Sequence, residues 1–306
     1  MGRPKGEAVD GVLLLDKPLG MSSSAAVARA RWLLGARKAG HTGTLDPLAG
    51  GLLPVALGEA TKFSADLLGA DKGYEARVRF GATSSTGDLE GEIAEHGPVT
   101  LDQAQLEAVL LRFIGESVQV PPMHSALKRD GRPLYELARR GQRVERPPRR
   151  VRIGRLDLLA LEGDEAVLRV DCSKGTYVRV LAEDLGAALS CGAYLAGLRR
   201  TRVGPLELDG AVTLAELEAL DLPARRAALL PADALLSGLP RVELDDIEAA
   251  RFALGQRLPL RIAPERRVRV YGRGAGLLGV ACVTADGVLA PQRLVHATEP
   301  GNKEFA

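Results

Sequence analysis

The 306-residue chain is short of the residues that build metal and redox centres. Its three cysteines, Cys172, Cys191 and Cys282, are scattered and form no C-x-x-C pair. Neither a disulfide framework nor a zinc site is expected from them. The four histidines, His41, His96, His124 and His296, show no H-x-x-x-H or H-E-x-x-H spacing that would offer a metal a ready pair. No Rossmann or P-loop glycine signature opens a helix, so no metal, nucleotide or redox cofactor is expected. No apolar run approaches the roughly 18–20 residues that span a bilayer. The stretch from Met1 to Asp10 is polar, unlike the apolar core of a signal peptide. The expectation is a soluble cytoplasmic protein without membrane contact.

What is present is an ordinary globular mixture, 46% hydrophobic and 26% charged. The length fits one large domain and a smaller one. Gly11–Asp16 (GVLLLD) reads as a short buried strand ended by a turn at Lys17–Gly20. Ser22 or Ser23 can cap a helix running to Leu34, with Gly35 as its stop. Gly40–Gly51 (GHTGTLDPLAGG) carries four glycines and a proline and reads as a loop throughout. Tyr74–Phe80 reads as a strand. Thr100–Gln103 has the pattern of a capping box, opening a helix to about Phe113. Gln119–Gln142 is loop-rich, with a hairpin turn at Arg129-Asp130-Gly131. Val151–Leu161 and Glu165–Asp171 flank a Gly163-Asp164 turn as a second hairpin. Thr176–Leu189 has helical spacing, and Thr213–Glu216 is another capping box. Strands, helices and hairpins follow one another without regular βαβ alternation. That order predicts an α+β fold with a mixed, largely antiparallel sheet. Gly238 and Pro240 mark a linker. Arg267–Tyr271, Gly276–Val283 and Gly287–Val295 beyond it read as strands of a small β-barrel-like appendage. The division is therefore expected at residues 1–237 and 238–306.

A net charge of only +2 hides two basic blocks. Lys128–Arg155 holds eleven Lys or Arg against three Asp or Glu, and Arg261–Arg273 holds five Arg against one Glu. Such blocks in a nearly neutral chain point to local patches for an anionic partner.

Within Gly40–Gly51, glycine-flanked turns hold Leu45-Asp46-Pro47. Proline fixes its own φ and steers Asp46 away from helical geometry. A carboxylate on a rigid loop can serve as nucleophile or base, or can simply bond a local amide in an Asp-Pro turn. The surrounding motifs decide between these. GVLLLDKP, GHTGTLDPLAGGLLPVALGEATKF, DKGYEA, CSKGTYVRVLAEDLG and YLAGLRR, in that order, resemble the TruB family of bacterial tRNA pseudouridine synthases, from about Gly11 to Pro205. The resemblance implies a pseudouridine synthase fold, with Asp46 on the catalytic aspartate. It places Tyr74 on the aromatic residue that stacks against the target base. Arg179 falls on the arginine paired with the carboxylate, and Leu198 on an apolar residue of the uracil pocket. His41 falls in the RNA-facing loop, and Lys17 and Tyr177 are supporting residues. The tail resembles a PUA-type RNA-binding domain.

The implied substrate is tRNA, at uridine-55 of the T-arm, with the target base flipped out and no obligate protein partner; a monomer is expected. The reaction breaks N1–C1′, turns the base and forms C5–C1′, with no redox step. An arginine beside the carboxylate favours its ionised form. Attack at C1′, attack at C6 and removal of the 2′ proton all remain open.

Overall fold

The computed structural model describes residues 6–296 apart from 126, 130, 143, 261 and 275. Asp130 of the expected hairpin turn and Arg261 of the second arginine block thus lie outside the described residues. The fold is α+β. Strand β1 (Gly11–Lys17) is buried along nearly its whole length, as an apolar run without alternation implies. Strand β2 (Ala39–His41) and β3 (Ala49–Leu57) pair antiparallel, and β3 also pairs antiparallel with β1. The other strands along the main path of this sheet are β4 (Lys72–Phe80), β5 (Gly115–Gln119), β6 (Arg149–Glu162), β7 (Glu165–Cys172), β8 (Ala193–Val203) and β9 (Val212–Thr213). The sheet runs β9-β1-β3-β8-β4-β7-β6-β5, with only β9/β1 and β3/β8 parallel along that path.

Side chains of a strand alternate between faces, and β1 shows the consequence. Leu13 and Leu15 pack toward helices α1 (Ser23–Leu33), α2 (Gln103–Phe113), α3 (Val178–Ala188) and α4 (Leu214–Ala219) in the main core. Val12 and Leu14 pack on the opposite face against Phe63, Leu67, Leu235 and Leu236. The C-terminal strands β10 (Arg241–Leu244), β11 (Leu258–Pro259), β12 (Glu265–Gly272), β13 (Leu277–Val283) and β14 (Val288–Leu294) make a curled sheet of order β10-β12-β13-β14-β11. A helix α5 (Asp246–Ala253) covers its own small core of Leu244, Phe252 and Val270. That helix has a capping box, Asp245 with Glu248, which the sequence reading overlooked. Among the described residues no helix is long and apolar enough to cross a membrane.

Two expectations are corrected. Gly40–Gly51 is not one loop, because both its ends are strand. Burial and cross-strand pairing override the turn propensity of its glycines. At Gly51 they are required, since its φ is +91° and an added Cβ would lie 2.3 Å from the Arg200 carbonyl. Thr100 is not the cap of α2. Asp102 is, its carboxylate accepting from the Ala104 amide at 3.0 Å. The Lys128–Arg129 and Arg132–Pro133 hairpin, the long Gly163 hairpin and the Thr213–Glu216 capping box all form.

Candidate active site

The turn between β2 and β3 presents Asp46, and four neighbours fasten it. Ser22 caps α1, whereas Ser23 turns inward. Its buried hydroxyl accepts from the Leu45 amide and donates to the Leu45 carbonyl, both at 2.8 Å. Lys17 donates to the carbonyls of Met21 at 2.6 Å, Pro18 at 2.9 Å and Pro47 at 3.4 Å. Arg200, a fully buried guanidinium on β8, donates to Leu52 at 2.8 Å, Gly43 at 3.1 Å and Thr44 at 3.4 Å. The amide of Gly20 donates to Pro47 at 2.8 Å. Backbone carbonyls with charged donors make strong restraints, so the loop is held from both sides.

Arg179 faces the loop from the first turn of α3. Its guanidinium donates to Asp46 at 2.9 Å, meets Asp88 at 3.0 Å, and donates to the His124 carbonyl at 2.7 Å and the Thr86 carbonyl at 3.3 Å. One buried cation thus spans two carboxylates. The Asp46 side chain is 46% exposed against 7% for Arg179, its open side being a cavity of about 290 Å³. Desolvation on its other sides pushes the Asp46 carboxyl up from the ordinary range, and Asp88 adds to the rise. Arg179 and Lys17 pull against it.

Asp46, Tyr74, Tyr177, Arg179 and Leu198 all line that cavity, from four separate segments of the chain. Tyr74 on β4 pairs with Val170 of β7 and Arg200 of β8. Burial pushes its phenol up to about 12, with Arg200 opposing through its charge and a hydrogen bond. Leu198 on β8 pairs with Ala49 and Ala76. Tyr177 precedes α3, its amide donating to Gln119 at 3.0 Å. Lys17 and His41 do not line the cavity. Burial lowers the Lys17 ammonium to about 8, first against the pull of Asp46, while the side chain lines an adjoining groove of about 790 Å³. His41, on β2, accepts from the Gly43 amide at 3.3 Å through Nδ1, and burial lowers its pKa.

The sequence reading missed Arg200, Asp88 and Ser23. Arg200 ends the YLAGLRR motif, where nothing local marks it as buried. Asp88 lies in Thr86-Gly87-Asp88, a glycine-flanked carboxylate like Asp46, and that likeness was the available signal. Ser23 was weighed only as a helix cap. Among the described residues no His, Cys, Asp and Glu side chains are grouped as a metal site.

Three family profiles tile the chain. "TruB family pseudouridylate synthase (N terminal domain)" matches residues 31–178, "tRNA pseudouridylate synthase B C-terminal domain" 179–237, and "Pseudouridine synthase II TruB, C-terminal" 240–295. The tRNA pseudouridine synthase B of Ralstonia nicotianae is 60% identical over 298 residues, covering 94% of this chain and 95% of that protein. The protein of the same name from Ralstonia pickettii is 58% identical, covering 96% of each. In structure, the chain is similar to one in a Cbf5-Nop10-Gar1 complex, with a TM-score of 0.74 and 26% identity over 94% of this chain and 85% of that one. A second likeness is to a chain of an H/ACA RNP bound to a substrate RNA containing 2′-deoxyuridine, with a TM-score of 0.73 and 25% identity over 98% and 92%. The chain therefore belongs to the TruB family of pseudouridine synthases.

Proposed function

We propose that the chain isomerises uridine-55 in the T-loop of tRNA to pseudouridine, with Asp46 as the catalytic carboxylate. The observation that carries this reading is Arg179 bridging Asp46 and Asp88 at the wall of a cavity that Tyr74 and Leu198 also line. Relatives named for action on tRNA, matched over nearly the whole chain, support the substrate. Arg179 holds the carboxylate in orientation and favours its charged form, offsetting the desolvation that would protonate it. The target base is stacked within its loop and must be extruded, at a cost of a few kcal/mol. Tyr74 then stacks on the base, and Leu198 and Tyr177 complete the cage in which the released uracil turns. Lys17 braces the loop through Pro47, and His41, beside the loop but off the cavity, meets the RNA near the flipped nucleotides.

Residues 1–237 carry the chemistry in this reading. Residues 238–306 and the basic run from Lys128 to Arg155 bind the phosphate backbone. The protein works as a cytoplasmic monomer, without a cofactor. The test is to incubate unmodified tRNA with the wild-type chain and with Asp46→Asn, then map pseudouridine by position. Wild type is expected to convert uridine-55. The variant should bind tRNA with near-normal affinity yet lose more than the roughly 10²–10⁴-fold that general acid–base help supplies. Near-normal turnover by Asp46→Asn would refute the mechanism, and modification only of ribosomal RNA would refute the substrate.

A further inference from the structure

One polar side chain of the catalytic cavity has no task in this scheme. Ser125 lines the cavity beside Asp46, Tyr74, Tyr177 and Leu198. The residue is 3% exposed, and its hydroxyl has no hydrogen-bond partner among the described residues. A buried hydroxyl without a partner gives up its hydration for nothing, so buried polar groups in native proteins are almost always bonded. Thr42 shares this condition but does not line the cavity.

Two hydrogen bonds hold the backbone that leads into Ser125. The His124 carbonyl accepts from Arg179 at 2.7 Å, and the Ser125 amide donates to Met123 at 3.0 Å. The same guanidinium therefore holds both Asp46 and the residue preceding Ser125. The hydroxyl itself is buried. Rotation about a single χ1 carries it between staggered positions without moving the backbone.

We propose that Ser125 is a substrate-binding residue, its hydroxyl turning from the wall to donate a hydrogen bond to a ring carbonyl oxygen of the extruded uracil. The proposal rests on the isomerisation reading above. When N1–C1′ breaks, its electron pair stays with the base, and the negative charge spreads over the two carbonyl oxygens. The base turns about its N3–C6 axis, which exchanges N1 with C5 and one carbonyl with the other. C5–C1′ then forms from that electron pair, the C5 proton leaves, and N1 gains a proton. A donor fixed at one carbonyl position thus meets an acceptor before and after the turn. It meets the most basic one while the ring is anionic. A hydrogen bond to a charged acceptor is stronger than to a neutral one, so Ser125 should favour the reacting state over the bound ground state.

The test uses the full chain, a T-arm RNA and single-turnover kinetics with Ser125→Ala and Ser125→Thr. Because the hydroxyl has no partner among the described residues, Ser125→Ala should melt no lower than wild type. Its rate at saturating RNA should fall about ten- to a hundredfold, with affinity little changed. Ser125→Thr, which keeps a hydroxyl, should recover part of the rate. Replacing the target by 4-thiouridine, whose sulfur is a poor acceptor, should slow wild type but leave Ser125→Ala with no further loss. A folded Ser125→Ala with wild-type rate, or with wild-type discrimination against the thio substrate, overturns the proposal. So does an alanine variant that cannot fold, since the hydroxyl would then be a structural group. A wild-type chain inactive on every uridine of the T-arm defeats the isomerisation reading itself, and this proposal with it.

Discussion

In the proposed reaction Tyr74 would meet two demands that pull its environment in opposite directions. Stacking on a base asks for a dry, fixed ring, and the residue is only 8% exposed. Taking part in proton transfer asks for a phenol that can give up its proton, and burial pushes that pKa up to about 12. Arg200 lowers it from what burial alone would impose, through charge and a hydrogen bond. At neutral pH the phenol therefore stays protonated. It can receive the C5 proton only while passing its own on. Tyr74→Phe is expected to keep RNA affinity, because base stacking on a ring, about 1–3 kcal/mol, survives. It should lose most of the single-turnover rate of tritium release from C5. A Phe variant with the wild-type rate would assign Tyr74 to stacking alone. Asp46, Tyr74 and Arg179 were each nameable from short motifs. Asp88 had only its glycine-flanked setting as a signal, since its value comes from a guanidinium 91 positions later in the chain, a pairing that only folding creates.

At the scale of elements, the close approach of β3 and β8 sets the loop. Leu198, Arg199 and Arg200 pair with Ala49, Gly50 and Gly51. That pairing brings the Arg200 side chain under the Gly43 and Thr44 carbonyls and Leu198 into the cavity wall. Gly51→Ala would drive a Cβ to 2.3 Å from one backbone atom of Arg200 and 2.7 Å from another, at a φ of +91°. The expected loss is at least about 2 kcal/mol from overpacking and backbone strain together. It would be read as a lowered denaturant midpoint at unchanged slope. A wild-type midpoint would mean that the two strands can separate without cost. The glycine-rich sequence spoke for a loop because local propensity is all that a window of twelve residues contains. The strand pairing that overrode it joins positions about 150 residues apart. Caps act within one turn of their own helices, so Ser22 and the Thr213–Glu216 box were legible, although Thr100 was read in place of Asp102 and the Asp245–Glu248 box was missed.

At the scale of the whole molecule, the C-terminal sheet is fastened to the catalytic sheet rather than hung from a linker. Val280 belongs to the apolar cluster with Phe63, Leu67 and Leu235. Lys62 donates to the Leu294 carbonyl at 2.9 Å, the His296 amide to Glu59 at 2.8 Å, and the Tyr271 hydroxyl to Asp233 at 2.5 Å. Arg267 pairs with Asp66. Truncation after residue 237 would strip this face and expose its apolar residues, so charge removal is the cleaner probe. Arg267 is engaged within the protein, while Arg266 and Arg273 are exposed. Replacing both by glutamine should weaken tRNA binding and lower the salt slope by about 0.7–0.9 for each phosphate that is no longer neutralised. The single-turnover rate at saturating RNA should not change. A rate that saturating RNA cannot restore would show that this domain shapes the active site.

The sequence alone determined the α+β class, the positions of β1, β4, β6, β7 and β12 to β14 but not of the central β3 and β8, and the family resemblance that names the carboxylate, aromatic and arginine lining the cavity. The class and the strands follow from periodicity, caps and turns, and the site residues from the resemblance that contiguous motifs carry; all are properties of neighbouring residues. Tertiary structure alone decided that Arg179 bridges two carboxylates, that Arg200 and Ser23 clamp the Asp46 loop, that His41 and Lys17 stand off the cavity, and that Ser125 lines it with a hydroxyl that has no partner among the described residues. Each of these joins residues far apart in the chain, and its strength depends on desolvation. Neither the partner nor the burial is written in the residues immediately around it.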